Sequence, residues 1–176
     1  LDLIREILAS EGGSLRTRTV GDGVRLEIRL PWIGRVSVLV VEDNATNQII
    51  AKEILQRQGW SVHLADNGKI GYEKFLALEG VLDVVLMDLQ LPGWNGIETT
   101  ERLLEAAPEA RVLIFSTFAR DDEIQAALER GALGYLQKTA GREELIHALR
   151  QIAAGQPYLP SGISTRLAGL KLEPAI

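Results

Sequence analysis

Acidic, hydroxyl and basic side chains follow four short apolar runs of this sequence. Glu42 and Asp43 come directly after one run, Asp88 after a second, Ser116 after a third and Lys138 after a fourth. If the runs are strands of a parallel sheet, their carboxyl ends share the edge where ligands bind. Three carboxylates at one place repel one another unless a hard divalent cation lies among them. The pattern therefore predicts a Mg²⁺ site, with Mn²⁺ as the alternative ion.

The hydroxyl and the ammonium at the same edge suit a phosphoryl group. Ser116 can hold phosphoryl oxygens by a hydrogen bond and Lys138 by an ion pair. A carboxylate can act as the nucleophile that accepts the group. Each residue alone has an ordinary explanation; Glu42 and Asp43, for example, could be acids at the start of a helix. Their joint position after four strands favours phosphoryl transfer onto an aspartate.

The elements that position these residues begin at about Val36. From there, short β-branched runs alternate with segments of helical period, which is typical of βα units in a parallel sheet. Three runs are apolar without alternation, as in strands buried on both faces. We predict an α/β fold with strands at Val36 to Val41, Trp60 to Ala65, Leu82 to Met87, Arg111 to Phe115 and Leu133 to Leu136. The predicted helices are Ala45 to Gln58, Lys69 to Leu78, Gly96 to Ala107, Asp121 to Arg130 and Arg142 to Ala154.

Details within these helices can also be predicted. Asn44 and Asp121 are the residue types that cap helices. Apolar spacing predicts inward side chains on the first helix and on the last, namely Ile50, Ile54, Leu55, Leu145, Ile146, Leu149 and Ile152.

Both ends of the chain lie outside the alternation. One helical face is indicated by Leu3, Ile4, Ile7 and Leu8. Two predicted strands, Leu15 to Val20 and Val24 to Leu30, flank a glycine turn, and Pro31 follows the second strand. This piece is too small to fold alone. The tail from Gln156 carries three prolines and is predicted to be weakly structured or an interface strip. We expect three parts: residues 1–32, a main domain at 33–155 and a tail at 156–176.

Composition excludes several classes of protein. The 176 residues contain no cysteine and two histidines, which excludes disulfides, thiolate zinc sites and a cysteine nucleophile. A net charge of -5 argues against nucleic-acid binding. No apolar run approaches the roughly 18 residues that span a bilayer, so we expect a cytoplasmic protein without membrane contact. Because residue 1 is leucine, the sequence is expected to be cut from a longer one.

Four separated motifs resemble the receiver domain of two-component response regulators, over about Val36 to Gly155. They are Glu42-Asp43, Met87 to Gly96, Phe115-Ser116 and Gly134 to Lys138. The resemblance implies a flavodoxin-like (βα)5 fold with strand order 2-1-3-4-5. It also implies that the chain is not an enzyme in the usual sense, although it could catalyse its own phosphorylation and dephosphorylation.

The resemblance assigns roles to the acidic residues. Asp88 would be the phosphoacceptor, receiving the phosphoryl group from a histidine kinase or a histidine phosphotransfer protein. Asp43 and Asp88 would bind Mg²⁺ directly, Glu42 through water, and Gln90 through its main-chain carbonyl. The output would be a changed protein-interaction face, with a homodimer formed through the fourth helix, fifth strand and fifth helix of the domain.

Four further residues complete the resemblance. Ser116 would hold the phosphoryl group and Lys138 would ion-pair with it. Tyr135 would be the switch aromatic that turns inward when Ser116 moves. Thr139 stands where many members have proline, so no cis peptide bond is expected there.

The flanks resemble two different architectures. Glu11 to Leu15 and Gly23 to Pro31 resemble the last helix and hairpin of a histidine-kinase ATP-binding domain, without its nucleotide motifs, so this chain alone is not expected to be a kinase. The order of a kinase end followed by a receiver resembles that of hybrid histidine kinases, and the segment Glu42 to Gln48 is similar to their receivers. Gly131 to Lys138 and Ala153 to Leu159 instead resemble receivers that precede a LuxR-type DNA-binding domain.

Two alternatives stay open at this stage. The domain could be a phosphorylation-independent module that dimerises or binds partners. It could also be a flavodoxin-like cofactor binder or a haloacid-dehalogenase-like phosphatase. Glu42 and Asp43 would repel a flavin phosphate, and the phosphatase needs an aspartate where Gln90 stands.

Overall fold

The computed structural model describes residues 2–10, 14–29 and 35–170. The chain divides into two compact units, Leu1–Arg35 and Val36–Ile176. The first contains helix α1 (Asp2–Ser10) and an antiparallel hairpin of β1 (Ser14–Val20) and β2 (Gly23–Arg29). The predicted helix and hairpin are therefore confirmed. The expected ends of the helix at Gly12-Gly13 and of the hairpin at Pro31 lie outside the described residues.

The second unit is built on a five-stranded parallel sheet. Its strands are β3 (Ser37–Val41), β4 (Ser61–Ala65), β5 (Val84–Met87), β6 (Val112–Ser116) and β7 (Gly134–Gln137). The spatial order is β4-β3-β5-β6-β7. Counted within the unit this is 2-1-3-4-5, so the predicted α/β fold and strand order are confirmed.

Helices cover both faces of the sheet. They are α2 (Ala45–Gln56), α3 (Gly68–Ala77), α4 (Gly96–Ala106), α5 (Asp121–Glu129) and α6 (Arg142–Ala153). Alternate residues of a strand face opposite sides. Leu39 and Val41 accordingly join an apolar cluster with residues of α3, α4 and α5, whereas Val38 and Val40 join one with residues of α2 and α6. Burial on both faces explains why these strands lack polar alternation.

Helix starts follow the strand ends closely. The side chain of Asn44 accepts a hydrogen bond from the Asn47 N–H and caps α2, as predicted. The predicted cap at Asp121 is wrong, because Arg120 takes the cap position and Asp121 is the first residue of α5. An acid in the first turn is favourable there, since it faces the positive end of the helix dipole.

The predicted inward faces are confirmed on α6 but only in part on α2. Leu145, Ile146, Leu149 and Ile152 are all buried. On α2, Ile50 is 51% exposed, so its inward assignment is wrong. The buried residues of that helix are Gln48, Ala51 and Leu55. The spacing of these three residues defines the helix face toward the sheet, and Ile50 falls outside it.

The tail contains a further helix, α7 (Ser161–Leu170). Before it, Tyr158 forms a parallel bridge with Gly134 at the edge of β7. Ile163 and Leu167 are buried in the cluster that includes residues of α5. The expectation of a weakly structured tail is wrong for these residues, because two apolar side chains one turn apart give the helix a face to bury. The division at residue 156 stays a prediction. No helix in the described ranges is both long and apolar enough to cross a membrane.

Candidate functional site

Three carboxylates meet at the carboxyl edge of the sheet. Val41 and Met87 are paired in register between β3 and β5, and Glu42 and Asp88 are the residues that follow them. Oxygens of Glu42, Asp43 and Asp88 lie within 4.8 Å of one another. Glu42 and Asp88 are only 4% and 6% exposed, whereas Asp43 is open to solvent. Oxygen donors at this spacing, with one side open to water, suit a small divalent cation.

Lys138 supplies the positive charge that these acids face. It follows β7, and its main-chain N–H donates to the carbonyl oxygen of Ser116 (3.0 Å). Its Nζ lies 2.5 Å from Glu42 Oε2 and 2.7 Å from Asp88 Oδ2, with only 13% of the side chain exposed. Burial lowers the pKa of Lys138, but hydrogen bonds and charge from Asp88 and Glu42 outweigh it, so the pKa is raised. No peptide bond is cis in the described ranges, as expected at Thr139.

Ser116 and Gln90 converge on one main-chain oxygen. The Ser116 side chain is fully buried at the end of β6, and its hydroxyl donates to the carbonyl oxygen of Phe118 (3.4 Å). The exposed side chain of Gln90 donates to the same oxygen (3.4 Å), and its main-chain N–H donates to Asp88 Oδ1 (3.2 Å). Within the described residues, no hydrogen bond joins Ser116 to Asp88. The structure thus places Ser116 at the site edge, held by the loop after β6.

Tyr135 lies within β7 and is wholly buried. Its side chain belongs to the apolar cluster shared with α5 and α7. Its hydroxyl has no hydrogen-bond partner among the described residues. Burial raises the pKa of Tyr135. The aromatic side chain is therefore inward in this structure, and its role as a switch stays a prediction.

Gln48 is a site residue that sequence reasoning missed. Its buried amide donates to the main-chain oxygen of Glu42 (2.6 Å) and to Asp66 Oδ1 (2.9 Å). The Asn44 N–H and the Asn47 side chain both donate to Glu42 Oε1, at 3.1 and 3.5 Å. The Glu42 carboxylate is therefore oriented by α2. Nothing local in the sequence marks Gln48 as a site residue, because its partners, Glu42 and Asp66, lie outside α2.

A second missed feature is the tight loop between Asp88 and α4. The Gly96 N–H donates to the Leu89 carbonyl (2.9 Å), and Asn95 caps α4 by accepting from the Glu98 N–H. A Cβ on Gly96 would lie 2.0 Å from the main-chain oxygen of Asp88. Only glycine permits this approach. Gly96 therefore lets the loop that follows Asp88 fold back against the main chain of Asp88.

Comparison with known proteins decides the family. A family model described as the response regulator receiver domain matches residues 38–150. The chain belongs to the response regulator receiver family. The match includes the strands of the parallel sheet and the three acidic residues at its carboxyl edge, Glu42, Asp43 and Asp88. Residues 1–37 and 151–176 lie outside the match.

Individual relatives agree with this assignment. The chain is 36% identical over 141 residues to response regulator GacA of Pseudomonas aeruginosa, covering 79% of this chain and 65% of that protein. It is 34% identical over 134 residues to the nitrate/nitrite response regulator protein NarL of Escherichia coli, covering 75% and 61%. The chain thus spans less than two thirds of the length of either relative.

Solved structures show the same fold. A two-component response regulator of the LuxR family from Aurantimonas matches with a TM-score of 0.72 at 29% identity, over 80% of this chain and 100% of that one. CheY from Borrelia burgdorferi, in a complex with CheX, BeF3 and Mg, matches with a TM-score of 0.63 at 21% identity, over 68% and 89%. The chain therefore carries a receiver domain of two-component signalling.

Proposed function

We propose that Asp88 is the phosphoacceptor of this receiver and takes its phosphoryl group from a phosphohistidine. The observation that carries the proposal is the environment of its carboxylate. Lys138 Nζ lies 2.7 Å from Oδ2, the Gln90 N–H lies 3.2 Å from Oδ1, and the side chain is almost fully buried. A nucleophile held from both oxygens loses little orientational freedom on reaction.

The transfer exchanges one bond to phosphorus for another. A carboxylate oxygen of Asp88 forms the new O–P bond while the N–P bond to the donor imidazole breaks, and the imidazole leaves with that electron pair. Lys138 stays beside the acceptor and balances the charge of the incoming phosphoryl oxygens. The Ser116 hydroxyl leaves the Phe118 carbonyl and donates to a phosphoryl oxygen instead.

The carboxylate edge would hold Mg²⁺, or Mn²⁺ as the alternative. Asp43 and Asp88 would bind it directly, Glu42 through water, and Gln90 through its main-chain carbonyl. A bound cation neutralises charge on the phosphoryl oxygens during transfer. The fit is supported by the three clustered carboxylates and by the hydrogen bonds from α2 that orient Glu42.

A histidine kinase or a histidine phosphotransfer protein is the proposed donor. Ile49 and Ile50 are 59% and 51% exposed on α2, next to the acidic edge. A groove between α2 and α6 runs from Ile50 to Lys138. A donor that must bring a histidine to Asp88 can pack an apolar helix face on this surface. The output is a face of α5, β7 and α6, through which two receivers would pair.

Two finer assignments belong to the same proposal. The domain catalyses its own phosphorylation and dephosphorylation and turns over no other substrate. Residues 1–32 are the end of a histidine-kinase ATP-binding domain, as in hybrid histidine kinases. The order of α1 and the β1–β2 hairpin supports the second assignment.

The test is chemical phosphorylation followed by intact mass measurement. The protein is incubated with acetyl phosphate and MgCl₂, and we expect a gain of one phosphoryl group. The D88N variant should show no gain, whereas D22N, which changes an exposed aspartate in the hairpin turn, should behave like the unaltered protein. An unmodified protein, or a gain retained in folded D88N, would overturn the proposal.

A further inference from the structure

The side chain of Gln48 joins the ends of two strands. It is 9% exposed and lies on the buried face of α2. Its amide nitrogen donates to the main-chain oxygen of Glu42 (2.6 Å), directly after β3, and to Asp66 Oδ1 (2.9 Å), directly after β4. A longer contact reaches the main-chain oxygen of Ala65 (3.5 Å). Because all three partners are acceptors, the contacts fix which end of the amide is the NH2 group.

Every polar atom of Glu42 has a hydrogen-bond partner. Its main-chain N–H donates to the Ala65 carbonyl (3.0 Å), and its main-chain oxygen accepts from Gln48. Its carboxylate accepts from the Asn44 N–H at Oε1 and from Lys138 at Oε2. Glu42 is therefore held by three separate segments, namely the end of β4, the residue after β7 and the first half of α2.

Asp43 lacks support of this kind. Its side chain is exposed, and it accepts no hydrogen bond from any residue that the structure describes. Its carboxylate nevertheless lies within 4.8 Å of those of Glu42 and Asp88. The position of Asp43 is thus set by the main chain of Glu42, the residue before it. Mg²⁺ demands near-ideal octahedral geometry at about 2.0–2.1 Å, so a small displacement of this main chain weakens binding.

We infer that Gln48 is a positioning residue for the metal site: it fixes the turn between β3 and α2, and through this turn the carboxylate of Asp43. The inference deepens the proposed function, because it rests on the proposal that Asp43 and Asp88 bind Mg²⁺ at this edge. Gln48 itself is not a ligand, since its amide nitrogen donates to protein oxygens. Residues that orient metal ligands typically account for about 10–100-fold in affinity.

Asp66 anchors the other side of the Gln48 amide. The nitrogen carries two hydrogens, and Glu42 and Asp66 each accept one short bond from it. A hydrogen bond to an ionised carboxylate is stronger than one to a neutral oxygen. Asp66 therefore holds the Gln48 side chain in the conformation that reaches Glu42, although Asp66 is not one of the three clustered acids. We expect Gln48 and Asp66 to act as a pair on the affinity for Mg²⁺.

The first test measures binding of Mg²⁺ alone by titration calorimetry. Q48M keeps the length of the side chain and removes the donor, so we expect the Kd to rise about tenfold. D66A should give a similar loss, whereas D66N, whose side-chain oxygen still accepts, should stay within about twofold of the unaltered protein. Q48M/D66A should bind no more weakly than either single variant. A51G, on the same face of α2, controls for lost helix stability and should leave the Kd unchanged.

The second readout is the Mg²⁺ dependence of the reaction with acetyl phosphate. Q48M should need about tenfold more Mg²⁺ for half-maximal adduct formation. It should reach the rate of the unaltered protein at saturating Mg²⁺, because Asp88 and Lys138 are unchanged. If Q48M does not fold, the contrast between D66A and D66N decides in both assays. An unchanged Kd, or a loss confined to the rate at saturating Mg²⁺, would overturn the inference.

The outcomes also separate this inference from the proposed function. If Mg²⁺ affinity falls in Q48M and D66A while acetyl phosphate leaves every variant unmodified, the positioning role stands and the phosphoacceptor role of Asp88 fails. If the adduct forms and all variants bind Mg²⁺ equally, the positioning role fails alone. An unaltered protein that binds no Mg²⁺ overturns both the positioning role and the proposed metal site.

Discussion

Replacing Lys138 with methionine removes an ammonium group that contacts both Glu42 and Asp88. The two contacts, at 2.5 and 2.7 Å, each have a gross Coulomb energy of roughly 6 kcal/mol at an effective dielectric constant near 20. Most of this Coulomb energy offsets the free energy that is needed to remove Lys138, Glu42 and Asp88 from water. Removing one partner of a buried ion pair costs about 3–5 kcal/mol. We expect K138M to lose about 3 kcal/mol of unfolding free energy in metal-free buffer at neutral pH.

The assay is urea unfolding followed by circular dichroism, with EDTA present. K52M is the matched control, since Lys52 is exposed on α2, and it should stay within about 0.5 kcal/mol of the unaltered protein. Added Mg²⁺ should recover much of the loss in K138M, because a cation can replace the missing charge; a ligand at 100 times its Kd contributes about 2.7 kcal/mol. Equal stability of K138M and K52M in EDTA would refute the reasoning, as would equal stabilisation of both by Mg²⁺.

Three other substitutions test separate parts of the structure. Burial and a hydrogen-bonded carboxylate raise the pKa of Tyr158 to about 12, so its contribution to stability is present below pH 10.0 and lost as the pH rises towards 12; Y158F should lack this alkaline loss in pH-dependent thermal unfolding. Q48A should lower the free energy of urea unfolding by about 1–3 kcal/mol, because the Glu42 carbonyl loses its buried donor. G96A should weaken Mg²⁺ binding, read by titration calorimetry, since the new Cβ must displace the main chain of Asp88; unchanged affinity would contradict the role given to this loop.

Much of the fold could be predicted because its signals are local. The runs Val38–Val41 and Val84–Met87 are continuously apolar because both faces of the sheet are buried. Since the strands are parallel, the residues that follow them must lie at the same edge of the sheet. Asn44 was recognisable as a cap because capping depends on a side chain and the N–H groups next to it. The meeting of Glu42, Asp43 and Asp88 followed from topology, although their distances did not.

Other features depend on contacts between distant segments. Gln48 reads as one more polar helix residue until its partners, Glu42 and Asp66, are known. Among the α7 side chains that the structure describes, the buried apolar ones are Ile163 and Leu167, and they gain a partner surface only when the tail crosses β7. Ile50 is likewise exposed because a different face of α2 meets the sheet. The spacing of apolar residues along the helix was compatible with either face.

The most direct test of the central claim is to locate the phosphoryl group. After reaction with acetyl phosphate and Mg²⁺, borohydride reduces an aspartyl phosphate to the corresponding alcohol, which peptide mass spectrometry can assign to one residue. We predict that Asp88 alone is converted. Conversion at Glu42 or Asp43, or at no carboxylate in a protein that has gained the group, would contradict the account.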